Sequence, residues 1–490
     1  MSTQNAIAFT SGSQIKPMNA ADRICYIIQP FIQEIFDSFV ESNDLNQAIV
    51  QAAKKHEKVA DKLFSIEPSN EQDSFTLKDD FLFIDENPLL VLIYGNSKIP
   101  SFIGNSSAEF IKDDCILPEI QNLLYLCGSS NLTYKQICQK ISEPMVELLD
   151  KFIKFSIVRE QPCENKTIIP QIPGIFRLQH AALLYRTNTT GILVDPHLHS
   201  NYGVSSLKND ITRANLEGSV DAILISHSHY DHWHYPTLMM FSPETPIIVP
   251  KVPRGTIMCE DMEARLKSLG FKNVIAVDWN AEPIIVGDIE INVLPFYGEQ
   301  PLVPEYNEPI HPDLRNWGNT YLLRTPYYTS WFLIDAGADP MGSMTEVAEQ
   351  VKQKFGSVDY VLSNFQALSY NSIGTDLSSW GIDIVANLLS NPKIFSVTNK
   401  PEGGYLSTLG PKGVAEICAI VEAKSCLPYA DSWAEIGKSS VHDKELIKET
   451  AKELNNLGCT TDVIPWKIGD GYLINNDTNP KEFLSSTAFR

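Results

Sequence analysis

Between Ser226 and Trp233 the chain reads His227-Ser228-His229-Tyr230-Asp231-His232, which places three imidazoles and a carboxylate within six residues. Neutral imidazole and carboxylate are common ligands of zinc and iron, so such a cluster can converge on metal without contributions from distant segments. The run Asp221 to Ile225 immediately before it is apolar enough to be a buried strand. Alternation at a strand end lets His227 and His229 point to one side. Asp231 and His232 then turn toward a second position about 3.5 to 4 Å away, the separation of two-metal sites that clamp an oxygen from both sides. Four potential ligands directly after an apolar strand are poorly explained as decoration of a polar loop.

The elements that must hold this cluster are legible around it. Strands are expected at 181–186, 191–195, 220–225, 247–250, 274–277, 284–286, 289–294, 320–323 and 331–334, with helices at 262–269, 344–355, 383–389, 412–423 and 444–457. Strands alternating with helices indicate an α/β layered domain. Ahead of it, apolar residues at helical spacing mark helices over 19–42 and 44–64, followed by strands at 81–84 and 89–94 and short helices near 117–126, 133–141 and 144–155. That order suggests an α+β, winged-helix-like unit. The segment Glu160 to Pro173, with Pro162, Pro170 and Pro173 among polar residues, has the composition of a linker. The expected division is therefore an N-terminal docking or accessory domain over 1–160, a catalytic domain over 174–435 and a C-terminal helical extension over 436–490.

Composition narrows the partners. With 490 residues and 43% hydrophobic content the chain can bury more than one core. Its net charge of -21 disfavours a phosphate backbone or an anionic membrane, because affinity for either depends on Lys and Arg. The nine cysteines form no C-x-x-C pair and no disulfide frame. No apolar run reaches about 18 residues, and Met1 to Gln14 lacks the basic and apolar segments of a signal peptide. A cytoplasmic protein is expected, with neither nucleic acid nor membrane as partner.

His-x-His-x-Asp-His after an apolar strand resembles the signature of the metallo-β-lactamase superfamily, and the resemblance extends over about Ile175 to Trp433. Ala181-Ala182-Leu183-Leu184-Tyr185 and Gly191-Ile192-Leu193-Val194-Asp195-Pro196 are similar to the opening hairpin of that family with its buried aspartate. Phe332-Leu333-Ile334-Asp335-Ala336-Gly337 resembles the strand whose terminal aspartate bridges two metals, which implies that role for Asp335. The implied fold is an αββα sandwich.

Zinc hydrolases of the superfamily supply a further histidine between the cluster and the bridging aspartate, whereas Leu294 to Gln300 contains none and Glu299 stands in its place. Carboxylate oxygen is a harder donor than imidazole and suits iron or manganese better than zinc. This departure resembles the diiron β-hydroxylase branch, in which a glutamate occupies that position and an amino acid tethered to a carrier protein is oxidised. The late histidine ligand of that branch has no evident counterpart; Asp431 is the candidate, with Asn364 and His311 as alternatives. His180, His197, His199 and His234 read as structural or supporting histidines.

The leading expectation is a dinuclear enzyme in which two iron ions are held by His227, His229, Asp231, His232, Glu299, Asp335 and Asp431, with Asp231 and Glu299 taking part in catalysis. Its substrate would be a small amino-acid-like molecule or a carrier-bound one, with a carrier protein or peptide docking on the N-terminal domain. A zinc or manganese hydrolase acting on an ester, lactone or phosphodiester is the rival. A silent protein with a structural metal and a binding role is the third reading.

Overall fold

The computed structural model describes residues 5–10, 13–18, 45–58, 64–67, 74–77, 91–96, 106–111, 116–162, 171–198, 213–229, 231–255, 259–300, 315–367, 406–430, 437–439 and 443–474, with positions 34, 37, 38, 61, 211, 302, 303, 308, 309 and 480–482. Within these residues two mixed sheets face each other. In the first, the antiparallel strands Gly174–Gln179, Ala182–Arg186 and Gly191–Val194 continue into the parallel strands Ala222–Leu224, Ile247–Pro250 and Val274–Val277. In the second, the antiparallel strands Ile284–Val286, Ile289–Pro295, Asn319–Arg324 and Thr329–Ile334 continue into the parallel strands Tyr360–Ser363 and Ser425–Pro428.

Alternation along the strands produces the layering. Leu183, Tyr185, Ile192 and Val194 of the first sheet meet Ile291, Val293, Leu323, Phe332 and Leu362 of the second in one apolar core. Their chain neighbours Ala182, Leu184 and Leu193 point outward. Trp331, Leu333, Leu322 and Val361 point outward on the other side, under the helices Met344–Phe355 and Gly410–Ile420. Because side chains repeat every second residue, a strand covered on both faces must be apolar at nearly every position. These strands are. The result is the αββα sandwich expected from the sequence.

The outer layer over the first sheet is partly built by the N-terminal region. Leu123, Leu124, Leu148, Leu149 and Phe152, from the helices Leu117–Gly128 and Glu143–Lys154, belong to the same apolar cluster as Phe176, Leu178, Leu184, Ile223 and Val249. Gln121 Nε2 donates to the Phe241 carbonyl at 2.8 Å, and the Arg213 guanidinium lies over the Tyr125 ring at 4.8 Å. All three short helices expected between 117 and 155 are present, the second as Tyr134–Cys138. The strands Asn5–Phe9, Ser13–Met18, Phe64–Glu67, Ser74–Leu77 and Ser106–Phe110 escaped the sequence reading because they are short and lack clear alternation. The expected strand at 81–84, the helix at 383–389 and most of the helix at 19–42 lie outside the described residues.

Of the expected linker, residues 163–170 also lie outside the described set, while Val158–Pro162 forms a strand antiparallel to Asn5–Phe9. The C-terminal stretch, which patterning marked only as helical, has its helix at Asp443–Asn456 and also sends strands into the sandwich. Asp462–Val463 pairs with Ser425–Pro428 in the second sheet, and Asp470–Leu473 pairs with Gly174–Gln179 in the first. No helix among the described residues is long and apolar enough to cross a membrane.

Candidate metal centre

The candidate ligands gather at one edge of the sandwich, each in the turn that leaves a strand. His227, His229 and Glu299 form one group, and His180, Asp231 and His232 a second, while Asp335 stands with His227 and His232 between them. In the first lobe Glu299 Oε2 lies 3.2 Å from His227 Nε2 and 3.0 Å from His229 Nδ1. In the second, His232 Nε2 lies 2.7 Å from Asp335 Oδ2 and 3.7 Å from Asp231 Oδ2, and His180 Nε2 lies 3.0 Å from Asp231 Oδ2. The division into two lobes follows the alternation read from the sequence.

Backbone geometry at this edge is unusual. Nine described residues other than glycine have positive φ, and five of them surround the centre: His180, Asp195, Glu299, Ile334 and Ala430. A β-branched residue such as Ile334 in that region is strained, and strain of this kind persists only where surrounding contacts impose it. Here the turns aim Glu299 and Asp335 inward. Gly298, at φ +99°, and Gly337 lie so close to the backbone of 406–407 that a Cβ at either would collide with Ser407. Gly298 N also donates to Asp339 Oδ2 at 3.1 Å, and Asp339 in turn accepts from Arg315 Nη2 at 2.9 Å.

Outer hydrogen bonds fix the rings. Asp195 accepts from Ser226 N at 2.7 Å and Ser226 Oγ at 2.6 Å, and its Oδ2 lies 2.9 Å from His232 Nδ1. The other side of the Ser226 hydroxyl meets His227 Nδ1 at 2.8 Å. One buried carboxylate thereby orients two histidines, the arrangement that sets tautomer and basicity in metal sites.

The electrostatics are those of a site built for positive charge. Burial opposes protonation of His232, yet the neighbouring Asp231 and Asp335 outweigh it and hold that imidazole well above its ordinary pKa. For His229 burial is likewise outweighed by Glu299, and the pKa is raised. Burial drives that of His227 well below the ordinary value, helped by His232 and His229. Burial would raise the Asp231 carboxyl, but His232 and His180 keep it well below the usual range. A metal ion fits this donor set on a structural observation: His227 Nε2, His232 Nε2 and Glu299 Oε2 are buried and have no hydrogen-bond partner. A buried polar atom left unsatisfied costs about 1–3 kcal/mol. A cation in each lobe would satisfy them, one at His227 and Glu299 and one at His232.

Of the remaining sequence candidates, Asp431 and His311 lie outside the described residues. Asn364 is an orienting group rather than a ligand, since its Nδ2 donates to Asp335 Oδ1 at 2.8 Å and its Oδ1 accepts from Gln366 N at 2.9 Å. His234 caps the helix Tyr235–Leu238 and stacks on His197 at 3.6 Å, a supporting role. His180, read from sequence as structural, instead enters the second lobe from the hairpin turn between the first two strands. Its signal was present as a histidine in a tight turn beside an Asp-Pro strand end, but it lies far from the cluster in sequence.

Residues 175–293 match the model of the beta-lactamase superfamily domain. Over those residues the chain is similar to that superfamily. Its sandwich is the metallo-β-lactamase fold, and the His227 to His232 cluster lies within the matched residues. The chain is 30% identical over 191 residues, 39% of its length, to the 3-hydroxylase of 4-amino-L-phenylalanyl-CmlP-peptidyl-carrier-protein from Streptomyces venezuelae. The aligned stretch spans 33% of that relative. The crystal structure of CmlA, a diiron β-hydroxylase from Streptomyces venezuelae, superposes with a TM-score of 0.56 at 15% identity, covering 94% of this chain and 98% of that one. A variant of CmlA gives a TM-score of 0.53 over the same coverage. The shared fold therefore extends beyond the sandwich into the N-terminal region.

Proposed function

We propose that this chain is a diiron oxygenase that hydroxylates an amino-acid-like substrate held on a carrier protein. The observation that carries the reading is Glu299, a carboxylate set within 3.2 Å of both His227 Nε2 and His229 Nδ1, where a zinc hydrolase would present a third imidazole. The relative named as a hydroxylase of a carrier-bound amino acid supports the substrate class.

On this reading His227, His229 and Glu299 would hold one iron and His180, Asp231 and His232 the other, with Asp335 beside His227 and His232. Three carboxylates among neutral imidazoles favour a hard, highly charged metal over zinc. Bound iron would supply the redox chemistry that couples O₂ to insertion of oxygen into a C–H bond. The protein limits water access, since the His227 and His232 side chains are fully buried and that of Glu299 is 4% exposed. Asp231, with a side chain 31% exposed, marks the side from which substrate approaches. Its carboxylate remains ionised at neutral pH, so it can accept a hydrogen bond from the substrate amine. His232 is steadied by Asp195, and Asp335 by Asn364. The N-terminal region is the proposed docking surface for the carrier.

The test is to supply the full chain with iron, a reductant, O₂ and carrier proteins loaded with amino acids, and to weigh the product by mass spectrometry. Gain of one oxygen atom on the amino acid supports the reading. Release of the amino acid without oxidation would replace it with hydrolysis.

A further inference from the structure

The strand Ile289–Pro295 runs out into a turn whose backbone departs from ordinary preference, with Gly298 at φ +99° and Glu299 at φ +50°. An L residue with a long side chain holds that conformation only where other contacts impose it. Hydrogen bonds impose it from several directions. The Phe296 carbonyl accepts from Arg315 Nη2 at 3.2 Å, and the Tyr297 carbonyl accepts from Gly337 N at 2.6 Å. Gly298 N donates to Asp339 Oδ2 at 3.1 Å, and the Gly298 carbonyl accepts from Gln300 Nε2 at 2.7 Å. Two of these bonds end on one ion pair, because Arg315 Nη2 also lies 2.9 Å from Asp339 Oδ2. The pair is buried, its side chains 7% and 0% exposed. Asp339 Oδ1 accepts in addition from Met341 N at 2.7 Å. The Trp279, Tyr297 and Trp317 rings surround the guanidinium, with centroids 5.5, 5.8 and 5.5 Å from its Cζ.

We infer that Arg315 and Asp339 are positioning residues: their ion pair holds the turn 296–300 in the form that aims Glu299 into the first lobe, and so sets metal affinity there and not in the second. The inference rests on the metal-centre reading above. A purely stabilising role would not need these charges, since replacing both partners of a buried ion pair by apolar residues is often neutral for stability. Removing one partner alone strands the other charge. What apolar side chains cannot supply is the acceptor for Gly298 N and the donor for the Phe296 carbonyl. An ionised carboxylate accepts at both oxygens, and a planar guanidinium donates in two directions at once. Asparagine has the same shape as aspartate but must set its NH₂ against one of the donors that Asp339 receives.

Zinc is the probe, titrated into metal-free full-length protein in competition with a chelator. Asp339→Asn should weaken one of the two zinc sites by about 10- to 100-fold, the usual cost of disturbing a contact behind a ligand, and leave the other at the parent's affinity. In the metal-free variant, hydrogen exchange at 296–300 should quicken while 222–229 exchanges as in the parent. The double variant Arg315→Met with Asp339→Leu separates positioning from stability. Its thermal midpoint should return close to that of the parent, and its first-lobe zinc affinity should stay low. Recovery of zinc affinity together with the midpoint, or parental zinc affinity in Asp339→Asn, would overturn the inference while leaving the metal centre intact. Failure of the unaltered protein to bind zinc, iron or manganese would overturn both.

Discussion

His180 Nε2 lies 3.0 Å from Asp231 Oδ2, so the second lobe of the centre receives a nitrogen from the hairpin that opens the sandwich. The His180 carbonyl also accepts from Ala430 N at 3.4 Å, which ties that turn to the end of the late strand Ser425–Pro428. On the proposed reading, a nitrogen delivered at this point takes the place sought for Asp431. His180→Ala should reduce metal content from about two ions per chain to about one, the count of a centre that has lost one of its two clamps. His197→Ala, which removes the ring stacked on His234 and its contact with the Asp231 carbonyl but no proposed ligand, should retain both. Equal metal content in the two variants would remove His180 from the ligand set.

On the proposed reading, Glu299 decides which metal is preferred. Glu299→His replaces a hard oxygen with imidazole between His227 and His229, and should shift the preference from iron toward zinc and abolish O₂-dependent turnover. Competition between the two metals, followed by elemental analysis of the washed protein, measures the shift. Unchanged preference would mean that Glu299 touches no metal.

Asp195 tests the outer hydrogen bonds independently of the ligands. Asp195→Ala removes the acceptor shared by Ser226 and His232, and should weaken metal binding by about 10- to 100-fold while sparing the choice of metal. Chelator competition reads the affinity. A variant that bound metal as tightly as the parent would show that the rings are fixed by packing alone.

The N-terminal helices are a structural layer as well as a proposed docking surface. A Cβ on Gly128 would meet Met240 Cβ at 2.7 Å, so Gly128→Val drives a side chain into a filled contact between Leu117–Gly128 and the sandwich. It should lower unfolding free energy by about 1–3 kcal/mol, seen as a reduced thermal midpoint. Deleting 1–160 would strip the same apolar face and should leave an aggregating remainder. A soluble, metal-loaded remainder would show that the two parts do not share a core.

The central strands were legible in the sequence because each is covered on both faces and reads as a continuous apolar run. Val274–Val277, Ile247–Pro250 and the helix Met344–Phe355 fall at the expected bounds. The six-residue cluster was legible because its ligands are adjacent in sequence. Asp335 and Glu299 required the family resemblance, since a lone carboxylate after a strand is common. The place of His180 in the second lobe is harder to read, because it depends on a contact between strand ends 51 residues apart in sequence. No local pattern records such a contact.

Metal analysis of aerobically purified full-length protein, paired with its optical spectrum, bears most directly on the dinuclear centre. About two irons per chain, with a charge-transfer band in the near ultraviolet or visible, is the expected result. Tightly held zinc in a colourless protein would contradict the oxygenase reading, and a chain free of transition metal after reconstitution would contradict the centre itself.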